Sequence, residues 1–289
     1  MFKVHDYCVS WVDLLRQRNL YKNDGCLQQF ATSEEEQVFF KHVNETVGVI
    51  DDLQSTTDDF LKPLLNEQSC HEAKLPSQLH PFRPVYDEMR KSRIVRQCCA
   101  DGVVCFSALN ALGVRCPMPD VHHLIIQAGF LCFLGLVKGC PVRGGIDIAW
   151  ATELHSGGLY GAAVVKAYEL ESTATQYPRI IVGERLVTFL ETWTQNKDNA
   201  ILSKYQKQLA RTCRELIGVD NDRLFFVDYL SDAFTRMIPS GKILLLYSKA
   251  LEFINQQIIE HRKAGNLKLS SRYGTLLNYF EHQKPQIQK

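Results

Sequence analysis

The chain has 289 residues, 45% hydrophobic and 10% aromatic, enough apolar material for one large domain or two small ones around a real core. Its 33 basic and 32 acidic residues leave a net charge of +1, so no global field draws it to nucleic acid or to an anionic membrane, and only a local phosphate pocket stays open. The ten cysteines, at 8, 26, 70, 98, 99, 105, 116, 132, 140 and 213, include no Cys-x-x-Cys and no histidine at zinc-finger spacing, a pattern that reads as reduced core thiols in a cytoplasmic protein.

The N-terminus lacks the basic flank and long apolar core of a secretion signal. Residues 7–14, YCVSWVDL, are β-branched and aromatic and predict a strand ending near Asp13. A capping serine and an acidic first turn open 33–65, whose three-to-four spacing of apolar residues predicts one long helix or two in tandem. Residues 66–87 are polar and contain proline, which suggests a surface loop. In 93–109, RIVRQCCADGVVCFSAL, two apolar runs flank Asp101-Gly102, the strongest short signal for a tight hairpin. The apolar run from Leu124 to Val137, interrupted by Gln127, is shorter than a bilayer needs and predicts a buried helix. VRGGIDIAWATEL then predicts a strand, GGLYGAAVVKAYELESTA a helix opened by glycines, PRIIVG a short strand and LFFVDYL a late one. The remainder is mainly helical: 184–193, 198–216, 240–263 and about 269–283.

The order strand, helix, hairpin, helix, strand is the split βαββαβ pattern of a ferredoxin-like α+β sheet. A domain over 1–195, with a helical insertion at about 28–87, is expected to carry a mainly helical portion, 196–289, packed on it. In such a sheet the first and third strands are neighbours, so Asp13 and Asp101 should meet at one edge. Two close carboxylates repel and would force a proton onto one of them unless a divalent cation lies between. The plainer alternative makes Asp13 a cap and Asp101 an ordinary turn residue. Asp51-Asp52 is a rival pair, disfavoured because it sits inside a good helical pattern. His122-His123 cannot both face one metal, because adjacent helical residues diverge by about 100°. Gly144-Gly145 and Gly157-Gly158 fit neither phosphate-binding glycine fingerprint.

Three blocks resemble class III nucleotide cyclases: VSWVDLLRQ is similar to their first strand, CCADGVVCF to their metal-binding hairpin, and VRGGIDIA with LYGAAVVKAYELESTATQYPRIIVG to their dimer-edge strand and following helix. Within that family the chain is most similar to the bacterial pyrimidine cyclases of the Pycsar antiphage systems. The resemblance covers roughly residues 7–190. It implies a class III catalytic core with inserted helices and a homodimer with sites across the interface. It also implies two Mg²⁺ or Mn²⁺ ions per site, held at Asp13, Leu14 and Asp101, and conversion of UTP or CTP to the 3′,5′-cyclic nucleotide and pyrophosphate. A separate effector would read the product. No nucleic acid partner and no membrane span are expected.

The helix that in the family carries a transition-state asparagine and arginine has Val165 and Glu169 at those positions here, leaving Lys166 as its cation. Lys166 and Arg143 are therefore the candidate charge stabilisers, and Arg16, with Arg18 nearby, the candidate phosphate contact. Where purine cyclases read adenine with lysine and aspartate, this chain aligns Gln97 and Gly158. Gln97 can donate to and accept from a uracil or cytosine edge, and Tyr160 and Trp11 would narrow the base pocket. Asp13 and Asp101 stand 88 residues apart, about twice the interval usual in the family, with the helical insertion between them. Two further readings stay open: an inactive cyclase-like nucleotide-sensing or interaction module, and a purine cyclase.

Overall fold

The computed structural model describes residues 3–15, 30–70, 88, 92–99, 102–154 and 158–287. The order along the chain is β1 (His5–Leu14), α1 (Ser33–Cys70), β2 (Val95–Cys99), β3 (Gly102–Ala108), α2 (Met118–Val137), β4 (Val142–Glu153), β5 (Leu159–Gly161), α3 (Ala162–Glu169) running into a π-helical turn (Leu170–Ala174), and β6 (Ile180–Val182). Then come α4 (Glu184–Thr194), α5 (Ile201–Glu215), β7 (Ile217–Val219), β8 (Phe225–Val227), the short α6 (Asp232–Thr235), α7 (Ser240–Lys263) and α8 (Leu267–Ile287). The protein is thus α+β.

The strands form one sheet in the order β2-β3-β1-β4-β6-β8-β7, with β5 paired to the distal end of β4. Its first four strands are joined as βαββαβ, lie in the order β4-β1-β3-β2 and are antiparallel at every pairing. The chain then crosses over through β5 and α3 and returns parallel to β4 as β6. Within the expected insertion the described residues form one helix, α1, which runs on to Cys70 where a loop was expected from residue 66; residues 71–87 lie outside the described residues. The segment expected to be one glycine-opened helix divides into β5, α3 and the π turn. Gly161, at φ 148°, makes the junction, and a Cβ there would stand 2.6 Å from the Ala151 Cα. Residues 196–287 are mostly helical, and they also add β7 and β8 to the common sheet.

The two sheet faces are covered unequally. On one lies α2, apolar around nearly its whole circumference and therefore buried throughout. Its 20 residues are long and apolar enough to cross a membrane by length and composition, and 83% of its apolar window is buried inside the fold. Cys8, Val12 and Leu14 of β1, Val103 and Cys105 of β3, and Ile146 and Ile148 of β4 point into the same large core, which continues through α5, α7 and α8. A Schellman turn ends α2, with Gly139 at φ 72° and Cys140 N–H donating to Gly135 O at 2.8 Å. That turn delivers the chain directly into β4. The opposite face carries a smaller core of Tyr7, Val9, Val104, Phe106, Ala149 and Ala151, closed by Ala163 and Ala167 of α3.

Candidate functional site

Residues directly opposite one another on neighbouring antiparallel strands share a face, so the register gives the layout of the lightly covered side. One cross-strand row reads Cys99, Gly102, Asp13, Arg143, and the next reads Gln97, Val104, Trp11, Gly145. Four of the residues singled out from the sequence, Asp13, Arg143, Gln97 and Trp11, therefore fall in two adjacent rows of one face. A third row, Val95, Phe106, Val9, Asp147, borders them. Asp13 is the penultimate residue of β1 and only 5% exposed. Its partner Gly102 follows Asp101 in the sequence; Asp101 itself, like Arg16 and Arg18, lies outside the described residues. Leu14, next to Asp13, pairs with Val142 and turns its side chain into the large core.

The helix α3 and its π turn lie across this face because β4 has no Cβ at Gly145. A methyl group there would come within 2.3 Å of Ala167 O and 2.5 Å of Leu170 Cβ. Thr175 ties the turn to the strand: its hydroxyl, with one proton to give, lies within donating distance of Leu170 O at 2.9 Å and of Gly144 O at 3.3 Å. As a result Tyr168 meets Trp11 edge-to-face, with 5.3 Å between ring centroids. Glu171, 1% exposed, forms a close ion pair with Nε of Arg143. The contact is electrostatic rather than an aligned hydrogen bond, since neither Glu171 oxygen nor Arg143 Nε has a hydrogen-bond partner of good angle.

Deeper on the same face, Asp147 is buried and accepts from Leu186 N–H at 3.0 Å, capping the start of α4. Gly183 is required beside it, because a Cβ there would fall 2.0 Å from the Asp147 Cγ. Burial pushes this carboxyl above its ordinary value. The backbone N–H groups of Ile148 and Leu186, then the charges of Lys166 and Arg185, pull the other way. Lys166 thus stands within electrostatic reach of the face through Asp147, while Val165 on the same helix is 53% exposed.

Not every expected residue converges. Tyr160 is paired with Thr152, which belongs to the opposite face from Asp13, and is 65% exposed. Asp51 and Asp52 lie inside unbroken α1, where Asp52 pairs with Lys138. His122 is half-buried near the start of α2, its pKa lowered to about 4, chiefly by desolvation. Sequence reasoning missed Glu171, Tyr168 and Asp147. The Leu170-Glu171 pair and the doublet Gly144-Gly145 were the available signals, since two adjacent glycines in a buried strand mark a close backbone approach.

Of the expected metal ligands, the described residues include Asp13, a buried carboxylate, and Leu14, which can add only its backbone carbonyl. Among the described residues, no group of three or more His, Cys, Asp or Glu side chains converges as a metal centre. No family model, curated protein or solved structure matches this chain.

Proposed function

We propose that the protein is a metal-dependent pyrimidine nucleotide cyclase that converts UTP or CTP to the 3′,5′-cyclic nucleotide and pyrophosphate, acting as a homodimer in antiphage signalling with a separate effector for the product. The fold this implies is the ferredoxin-like catalytic core of class III cyclases. The observation that carries the reading is the β1–β3 register: Asp13 stands opposite Gly102, the residue that follows Asp101 in the sequence.

In this reading Asp13, Asp101 and the Leu14 carbonyl hold the metal. When bound, Mg²⁺ or Mn²⁺ lowers the pKa of the 3′-hydroxyl and neutralises the triphosphate. Gln97 and Trp11, one row along the same face, take the base: the amide reads a pyrimidine edge and the indole limits its size. Lys166 supplies positive charge for the triphosphate. Arg143, engaged by Glu171, holds the site together instead of meeting the substrate.

Incubating the protein with each of the four nucleoside triphosphates and Mn²⁺, then resolving products by mass spectrometry, tests the proposal. Cyclic UMP or cyclic CMP is expected, and Asp13→Asn should cut its formation by at least about a hundredfold, a typical cost of losing electrostatic stabilisation in an active site. Exclusive production of cyclic AMP or cyclic GMP would show a purine cyclase. The exposed Val165 and Glu169, standing where the family carries its transition-state pair, favour a second reading: a nucleotide-binding module without turnover. Nucleotide binding with no cyclic product from any triphosphate would select it.

A further inference from the structure

The net charge of +1 conceals an uneven distribution along the chain. Between 260 and 272, Arg262, Lys263, Lys268 and Arg272 stand against a single carboxylate, Glu260. The fold gathers them at one end of the α7–α8 hairpin. A Schellman turn, with Gly265 at φ 70° and Asn266 N–H donating to His261 O at 2.8 Å, ends α7 and leads straight into α8. Across it, Arg262 Nε donates to Ser270 Oγ at 3.3 Å. Among the described residues none of the four cations is in an ion pair, and Glu260 is engaged by the side-chain amides of Gln256 and Gln257. The other acids of the two helices, Glu252 and Glu281, lie about 16 and 21 Å along the axes from Lys263 and Leu267. Asp220 and Asp222 of the β7–β8 turn line a cavity with Arg272, but both are held by the buried Arg179.

Two features set this end apart from an ordinary solvated helix end. Lys268 stands in the first turn of α8, which holds no acidic residue and where the helix dipole disfavours positive charge, so helix stability does not account for it. Leu267 beside it is 72% exposed, and Ile259, one turn before Lys263, is 52% exposed. We propose that this end of the hairpin docks on an anionic phospholipid bilayer, with the cations on the headgroups and Leu267 entering the boundary between headgroups and acyl chains. A polyanion such as RNA would satisfy the cations and leave Leu267 in water, so the bilayer is the partner that uses both. The inference stands apart from the nucleotide reading and uses none of its residues.

Flotation of the full chain with lipid vesicles tests it. The protein should float with vesicles of phosphatidylcholine mixed with phosphatidylglycerol and not with phosphatidylcholine alone, and raising salt from about 0.1 to about 0.5 M should release it. Lys263→Gln combined with Lys268→Gln should lower partitioning about thirtyfold, roughly fivefold for each cation near the surface. Leu267→Ser keeps every charge and should lower it at least about threefold. All three side chains are exposed, so the variants should keep the wild-type circular dichroism. No flotation with the anionic vesicles, equal flotation with phosphatidylcholine alone, or unchanged flotation of Leu267→Ser overturns the inference. A gel shift with RNA that survives Leu267→Ser, alongside no flotation, would overturn it in favour of a nucleic-acid partner.

Discussion

The two faces of the sheet differ in how they are covered, and the difference separates stability from chemistry. The α2 side buries large apolar residues continuously, with Phe130 at the centre packed between Phe60 and Phe234 at centroid distances of 5.5 and 4.7 Å. The α3 side is closed by two alanines on an eight-residue helix, and polar groups line its edge: Asp13, Arg143, Glu171 and Asp147. A thin cover of small side chains lets a helix approach the strands closely. That closeness excludes water around charges that a thicker apolar layer would have displaced.

The largest expected effect breaks the comparison on its stable side. Phe130→Ala removes a fully buried ring held between two others and should cost about 3–5 kcal/mol in urea unfolding. The matching change on the other face, Trp11→Ala, removes a partly buried ring whose aromatic neighbour is Tyr168, and should cost about 1–2 kcal/mol. Equal losses at the two positions would show that the thin face stabilises as much as the thick one. Gly145→Ala falls between them. Its methyl group must push α3 and the π turn off the strand at 2.3 Å, an overpacking cost of about 1–3 kcal/mol. A crystal structure or amide exchange should show the change confined to 162–175.

Strands and long helices were legible because their periodicity repeats. The alternation in YCVSWVDL, the Asp-Gly pair at 101–102 and the amphipathic 240–263 stretch are local sequence signals, and the helix at 240–263 has the expected bounds. From the order of elements, the antiparallel β4-β1-β3-β2 arrangement follows by topology. Three-residue strands were harder: Ile217–Val219 has no period of its own and pairs only because β8 is beside it. At the site, Asp13 stood out as a carboxylate ending an apolar strand. Glu171 did not, because in sequence it resembles any glutamate near a helix end. Only the π turn, which shifts its side chain toward the strand, and the register of Arg143 make it a partner.

Asp147 gives the smallest and most discriminating effect, through pH. Its carboxyl is raised above the ordinary 3.8, mainly by burial, so ionisation is penalised in the folded state relative to the unfolded one. The stability it contributes is therefore fully present below that ordinary value and is lost as pH rises through the folded value. Asp147→Asn keeps an oxygen to accept from Leu186 N–H but cannot ionise. The stability lost on making Asp147→Asn should accordingly be greatest near pH 4 and shrink toward pH 7. Denaturation of both proteins across that range isolates the one carboxyl, since every other titrating group cancels in the difference. A loss that grows with pH would mean that Lys166 and Arg185 outweigh burial, placing their charges closer to the buried face than desolvation allows.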